Sequence, residues 1–185
     1  LMTELFLILD IELTFLMNQI KTKRLVLKKP TKKINKKSIV SKIGDWEVAK
    51  WLSDVPYPYT EQKAEEWLNN INYDDLLFSI FRNNSLIGGV GLSLEEDNDL
   101  DLGFWIGRDQ WGKGYATEAA MGLIQYAKKE FNFKQIKACY IKGNTGSSNV
   151  LRKLGFEEIG KCEEYFLSRK KTMPCIKLLL KFDTK

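Results

Sequence analysis

Between Leu100 and Phe131 the hydrophobic period changes once, and that change limits the chain to a few folds. From Asp99 to Gly107, "DLDLGFWIG", the pattern is that of a strand. Leu100, Leu102, Phe104 and Ile106 face one way, and Asp99, Asp101, Gly103 and Trp105 the other. From Ala116 onward the period is helical, with Ala116, Ala119, Ala120, Leu123, Ile124, Ala127 and Phe131 on one apolar stripe. The junction is "GRDQWGKGYATEA", Gly107 to Ala119. A strand that enters a long helix through a glycine loop points backbone N–H groups and the positive end of the helix dipole at one spot. That is an anion site by geometry. A glycine turn that does no more than start a helix has the same letters.

The loop does not fit the common phosphate patterns. Gly107, Gly112 and Lys113 match the first seven positions of G-x-x-x-x-G-K-[ST], but Gly114 stands where a hydroxyl would hold magnesium. As G-x-G-x-x-G, Gly112 and Gly114 serve, but Thr117 replaces the third glycine. A metal–triphosphate complex is poorly served, and a metal-free pyrophosphate remains.

The rest of the chain supplies a single mixed sheet. "TKRLVLKKP" (22–30) reads as a strand stopped by proline, and "IGDWEVAKWLSD" (43–54) as a helix. "PYPY", Pro56 to Tyr59, is an extended loop, and Thr60 caps a helix carrying Ala64, Trp67, Leu68 and Ile71. "LLFSIF" and "LIGGVGLSL" flank a turn at 82–85. After the long helix come the strand "QIKACYI", the short helix "NTGSSNVLRKLGF" stopped at Gly155, and the strand "KLLLKF". The expected fold class is α/β (α+β) with one mixed sheet. Residues 17–185 are expected to form the domain, with 1–16 as an extension outside it. That extension holds Glu4, Asp10 and Glu12, so neither a signal peptide nor a membrane span is expected.

With 185 residues, one domain is expected to bury a full core. The chain contains no histidine, which removes the commonest general base and metal ligand. Cys139, Cys162 and Cys175 show no pair spacing, so a reduced, cytoplasmic protein without a metal site is expected. Net charge is +5, unevenly placed: residues 13–44 hold ten Lys or Arg and no acid, leaving 19 basic against 24 acidic residues elsewhere. Lys28, Lys29, Lys32, Lys33, Lys36 and Lys37 read as a solvated loop, or as a contact for RNA or an acidic partner.

"GFWIGRDQWGKGYATEA" followed by "NTGSSNVLRKLGF" resembles the GCN5-related N-acetyltransferase (GNAT) family. Gln110, Trp111, Gly112, Lys113 and Gly114 resemble that family's loop for the pyrophosphate of acetyl-coenzyme A. Asn144, Ser147, Leu151, Gly155 and Phe156 match its companion N-x-x-S-x-x-x-L-x-x-x-G-F. "LIGGVGL" and "VPYPYT…AEEWL" resemble the ribosomal-protein-alanine acetyltransferase branch. The resemblance spans about 17–182 and implies six to seven mostly antiparallel strands flanked by about four helices.

It also implies roles. Acetyl-coenzyme A is the acetyl donor and needs no metal. Phe104, Trp105 and Ile106 lie on the strand whose backbone pairs with pantetheine and polarises the thioester. Tyr115 and Thr117 continue the pyrophosphate loop, and Arg152 and Lys153 face the nucleotide half or are solvated. Asp101 stands where this branch often has a glutamate and is the expected base, or a surface carboxylate. A tyrosine common eight residues after the asparagine is replaced by Arg152, which leaves Ser147, presented by Asn144, as donor to the leaving thiolate. As a cap hydroxyl Ser147 is equally natural. The implied acceptor is an amine, on a protein N-terminus such as a ribosomal protein's or on a small molecule. No membrane or nucleic-acid partner is expected of a monomer or homodimer of this kind. An inactive acetyl-coenzyme A-binding relative and an RNA-associated binding protein are the alternatives.

Overall fold

The computed structural model describes residues 19–71, 75–94, 99–131 and 133–182. The extension expected at 1–16 lies outside the described residues. The elements are β1 (Gln19–Lys21), β2 (Val26–Lys28), α1 (Lys36–Ile43), α2 (Trp46–Ala49), α3 (Glu61–Asn69), β3 (Leu76–Arg82), β4 (Ser85–Leu94), β5 (Leu100–Ile106), α4 (Tyr115–Glu130), β6 (Gln135–Ile141), α5 (Thr145–Lys153), β7 (Glu157–Phe166) and β8 (Lys171–Lys181). Among the described residues this makes eight strands and five helices, slightly more than the resemblance implied.

All eight strands form one sheet in the order β1-β2-β3-β4-β5-β6-β8-β7. Every pairing is antiparallel except β5 with β6. Asn83 and Asn84, at φ 48° and 61°, close the β3–β4 hairpin in the left-handed geometry that suits strand twist. The sheet lies between two apolar layers. On one face Leu102, Ile106 and Ile87 join Leu123, Ala119 and Ile124 of α4 in the main core. On the other, Leu86 packs with Ile39, Ile43 and Val48, near Ala64 and Leu68 of α3, and Trp105 joins from the edge of that cluster.

Five elements differ from the sequence reading. The strand expected over 22–30 is present but shorter: it is β2, Val26–Lys28, and the residues before it form a turn from β1, closed by Thr22 N–H donating to the Leu25 carbonyl at 3.0 Å. The lysine block contains α1, capped by Asn35, whose side chain accepts from the Lys37 N–H. Ile39 and Ile43 are its buried face, so the charges mark a solvated helix side rather than a loop. Within the block, Lys36 pairs with Glu65 at 2.7 Å and Lys42 with Asp109 at 2.8 Å. The helix expected over 43–54 is the single turn α2, begun by Asp45, whose side chain accepts from Glu47 N–H.

β7 lacks any apolar alternation, because it is an edge strand exposed almost throughout. β8 begins six residues before the expected "KLLLKF", and Pro174 inside it hides the strand pattern. Among the described residues no helix is long and apolar enough to cross a membrane.

Candidate active site

β5 and β6 run parallel for only two residues, Leu100 opposite Ile136 and Asp101 opposite Lys137. Beyond Asp101 they splay apart, and the sheet opens. The far side of β5 stays paired with β4 as far as Gly107, whose N–H donates to the Ile87 carbonyl at 2.8 Å. An antiparallel ladder alternates its hydrogen-bonding direction. With Gly107 facing β4, Trp105 and Gly103 also face β4, and Phe104 presents its N–H and C=O to the opening. The Ile106 carbonyl is taken by the Trp111 indole N–H at 2.7 Å. That bond folds the glycine loop back over the end of β5.

The Trp105 ring sits on the α1 side and needs space that only glycine leaves. A Cβ on Gly89 would lie 2.5 Å from the Trp105 Nε1. This gives the "GG" of "LIGGVGL" a packing reason.

The loop then turns into α4 through two residues at positive φ, Gly112 at 73° and Gly114 at 77°. Gly114 is the N-cap, and no side chain caps this helix. The first cap bond is Glu118 N–H to the Gly114 carbonyl, so the N–H groups of Tyr115, Ala116 and Thr117 have no helical partner. They point out of the helix start beside Gly112 and Gly114, where L side chains are disfavoured. The loop's own side chains are turned inward. Lys113 Nζ donates to the Asp109 carbonyl at 2.9 Å and to Gln110 Oε1 at 3.1 Å, and Gln110 donates to the Asp109 carboxylate. The loop is therefore a cradle of main-chain amides, a shape that suits an anion.

Glu118 anchors the cradle from behind. Its carboxylate accepts from Thr22 at 2.7 Å and pairs with Arg24 at 2.6 Å, while Arg24 reaches the Lys113 carbonyl at 3.0 Å. Burial disfavours the charge on Glu118. The Thr22 and Arg24 bonds outweigh it and hold the carboxyl below its ordinary value. Tyr115 is buried, with the Arg24 guanidinium 4.6 Å above its ring, so only its amide is offered to the loop.

Asn144 caps α5 by accepting from the Ser147 N–H at 3.0 Å. Ser147 and Lys153 line the same cleft as Asp101, Phe104, Trp105, Ile106, Gln110, Trp111, Gly112, Gly114, Tyr115, Thr117 and Asn144. Ser148 and Arg152 are not part of that lining. The α5 stop is as expected: Gly155 at φ 89°, with Phe156 N–H returning to the Leu151 carbonyl.

The cleft measures about 1640 Å³ and continues past β5 to a second wall. That wall holds Trp51, Val55, Tyr59, Glu66 and Trp67 from α3 and the loop before it, and Cys139, Glu164 and Tyr165 from the far strands. The hairpin between β7 and β8 ties the loop down, with Leu167 N–H on the Ser53 carbonyl at 2.9 Å and Arg169 on the Lys50 carbonyl at 2.8 Å. Burial first, and then the Glu66 charge, raise Tyr59 above its ordinary value, so its hydroxyl stays protonated. Cys139 opens on the cleft yet sits inside its concave wall. Desolvation and the neighbouring Cys162 thiol hold its own proton on, which makes it a poor nucleophile.

Of this second wall, sequence reasoning expected the "PYPYT" loop and the segment 43–54 before it to line the acceptor pocket, and Pro56, Tyr59, Val48, Trp51 and Leu52 reach the cleft; it missed α3 and the far strands. It also missed Ala116, whose amide belongs to the cradle. Ala116 had a signal, being the third residue after Gly112-Lys113-Gly114 at a helix start.

A strand splayed from its neighbour, beside an amide-lined helix start, is the frame of an acyl-donor site. A family model described as an acetyltransferase (GNAT) domain matches residues 24–157, and the chain belongs to the GNAT family. The enzyme is an acyltransferase with acetyl-coenzyme A as its donor. The N-acetyltransferase p20 of Bacillus licheniformis is 29% identical over 130 residues, covering 66% of this chain and 73% of p20. The ribosomal protein uS5-alanine N-acetyltransferase of Escherichia coli is 36% identical over 66 residues, 36% of this chain and 34% of that enzyme. The fold is shared with the Microcin C7 self-immunity acetyltransferase MccE, solved in complex with acetyl-CoA and AMP. The TM-score is 0.77 at 17% identity, over 92% of this chain and 99% of that one.

Proposed function

We propose that the protein transfers the acetyl group of acetyl-coenzyme A directly to a primary amine, on a protein N-terminus or a small molecule, with both substrates bound at once. The observation that carries this reading is the continuity of the cleft. The open edge of β5 at Phe104 runs at one end into the amides of Gly112 to Thr117 and at the other into the wall of Tyr59 and Trp67. A diphosphate fits the amide end without a cation, since the dipole and N–H groups supply the positive potential.

The attacking amine must be neutral. Asp101, at the base of the splay, is the proposed base, directly or through water. The Phe104 N–H faces the opening and is the proposed donor to the thioester carbonyl oxygen, where charge develops. Electrons of the amine form the new C–N bond as the C–S bond breaks, and the leaving sulfur takes a proton or hydrogen bond. Ser147 is the proposed donor there, held by the Asn144 cap. Phe104, Trp105 and Ile106 form the pantetheine strand, and Gln110, Trp111, Gly112, Lys113, Gly114, Tyr115 and Thr117 the pyrophosphate loop. Lys153, from the cleft wall, and Arg152, beside it, serve the nucleotide half. A direct route needs no cysteine nucleophile, and Cys139 is poorly suited to be one.

The reading is supported by the uS5-alanine enzyme among the relatives, which makes a ribosomal protein N-terminus the first acceptor to try. The test is release of free coenzyme A thiol from acetyl-coenzyme A against a panel of N-terminal peptides and small amines, in a chelating buffer. Acceptor-dependent thiol release that matches acetylated product supports the proposal. Binding of acetyl-coenzyme A with no transfer to any amine supports the inactive relative instead.

A further inference from the structure

The three cysteines lie on three adjacent strands, Cys139 on β6, Cys162 on β7 and Cys175 on β8. Their separations along the chain give no hint of a common site, and the sheet brings them together. Cys139 Sγ lies 3.4 Å from Cys162 Sγ. Glu164 follows Cys162 by two residues along β7, so it shares its face. A Glu164 carboxylate oxygen and the two sulfurs all lie within 4.8 Å of one another. Cys175 is the cross-strand partner of Cys162 and packs beside it with Ile141, Phe166, Trp51 and Met173.

A disulfide is the first reading of two sulfurs this close, and the strand order argues against it. β8 lies between β6 and β7. Two strand spacings put the Cα atoms on the order of 9 Å apart, past the roughly 7 Å a disulfide spans without backbone movement. Two thiolates on one tetrahedral ion, by contrast, stand about 3.8 Å apart, given metal–sulfur bonds of about 2.3 Å. A set of sulfurs with one carboxylate selects a borderline-soft divalent cation over magnesium or calcium.

We propose that Cys139, Cys162 and Glu164 bind Zn²⁺, with a water from the open side of the cleft as the fourth ligand. Each cysteine gives its proton to solvent as its metal–sulfur bond forms, and no electron is transferred. Lys177, the cross-strand partner of Cys139 on β8, faces the negative ligand set. The ion braces β6, β8 and β7 as one wall of the cleft. It makes no bond to the reacting groups, which lie on β5, α4 and α5, although Cys139 and Glu164 also line the acceptor end of the cleft. Metal binding is read without turnover, so the inference stands or falls apart from the proposed acceptor.

The test uses the full chain, stripped with chelator and kept reduced by a phosphine. Co²⁺ is titrated in and followed by absorption. The expected result is one equivalent of Co²⁺ with a thiolate-to-cobalt charge-transfer band and tetrahedral visible bands, displaced by Zn²⁺. Cys139→Ser and Cys162→Ser should abolish the band. Glu164→Gln, an exposed change that leaves the fold in place, should keep it and weaken binding about tenfold. Zn²⁺ should raise the melting temperature of the wild type and not of Cys162→Ser. A titration with no thiolate band, or a band that survives Cys139→Ser, overturns the site. So does recovery of a Cys139–Cys162 disulfide under mild oxidant, since it would show that the strands bring the backbones closer than the order implies.

Discussion

The two walls of the cleft are built differently. The donor wall is main chain: the unpaired edge of β5 at Phe104 and the amides from Gly112 to Thr117. The acceptor wall is side chain: Tyr59, Glu66 and Trp67 on one side and Glu164 and Tyr165 on the other. A main-chain site binds what every donor molecule shares, a diphosphate and an amide-bearing arm. A side-chain site can differ from one relative to the next while the fold stays. On the proposed reading the donor wall carries the chemistry common to the family, and the acceptor wall carries the choice of amine.

The contrast can be broken at either wall. The largest effect is expected at the base of the splay. Asp101→Asn keeps the shape and removes the proposed base, which typically costs ~10²–10⁴ in rate. The defect should shrink as pH rises, because more amine is already neutral. Normal turnover at neutral pH would remove Asp101 from the mechanism and favour a water chain.

A smaller loss, on the order of 10² in kcat, is expected of Ser147→Ala, with acetyl-coenzyme A affinity nearly unchanged, as for a hydrogen bond that strengthens only as charge develops. Ser148→Ala is the control, because Ser148 is not in the cleft lining. If the control is the damaging change, the assignment along α5 is off by one residue.

At the acceptor wall, Trp67→Ala should raise KM for the amine by about tenfold and leave donor binding alone, since it removes a 40% exposed ring that faces the cleft. An equal loss in donor affinity would mean that the walls are not separate.

The smallest effect concerns the strut behind the loop. Glu118→Gln should cost about 1 kcal/mol in stability, the scale of one partly exposed ion pair. The Glu118 carboxyl titrates below its free value of 4.5 when folded. As pH falls the unfolded chain takes up the proton first, so this stabilisation is present above about pH 4.5 and is lost below it. Glu118→Gln should flatten the acid limb of a stability–pH curve, and an unchanged limb would deny the strut its role.

The glycine loop proposed as the donor wall was readable in the sequence because its path needs backbone shapes that only certain residues allow. Gly112 and Gly114 are visible as letters because the positive φ at both excludes most side chains. The Asn144 cap and the Gly155 stop were readable for the same reason. The acceptor wall was hidden by three local facts. β7 is exposed on both faces and shows no alternation. Pro174 breaks the pattern of β8. The lysines of α1 mask the helical spacing of Ile39 and Ile43 behind the Asn35 cap. Without β7 the meeting of Cys139, Cys162 and Glu164 could not be seen, since it is a product of strand order alone.

The central claim is that main-chain amides at the start of α4 hold the donor. Calorimetry of acetyl-coenzyme A binding to the wild type and to Gly114→Val, in chelator and with both proteins shown to be folded, tests it most directly. A valine at φ 77° strains the loop and crowds the amides. The account predicts metal-free binding in the wild type and an affinity at least several-fold weaker in the variant. Equal affinities would contradict it and place the diphosphate elsewhere.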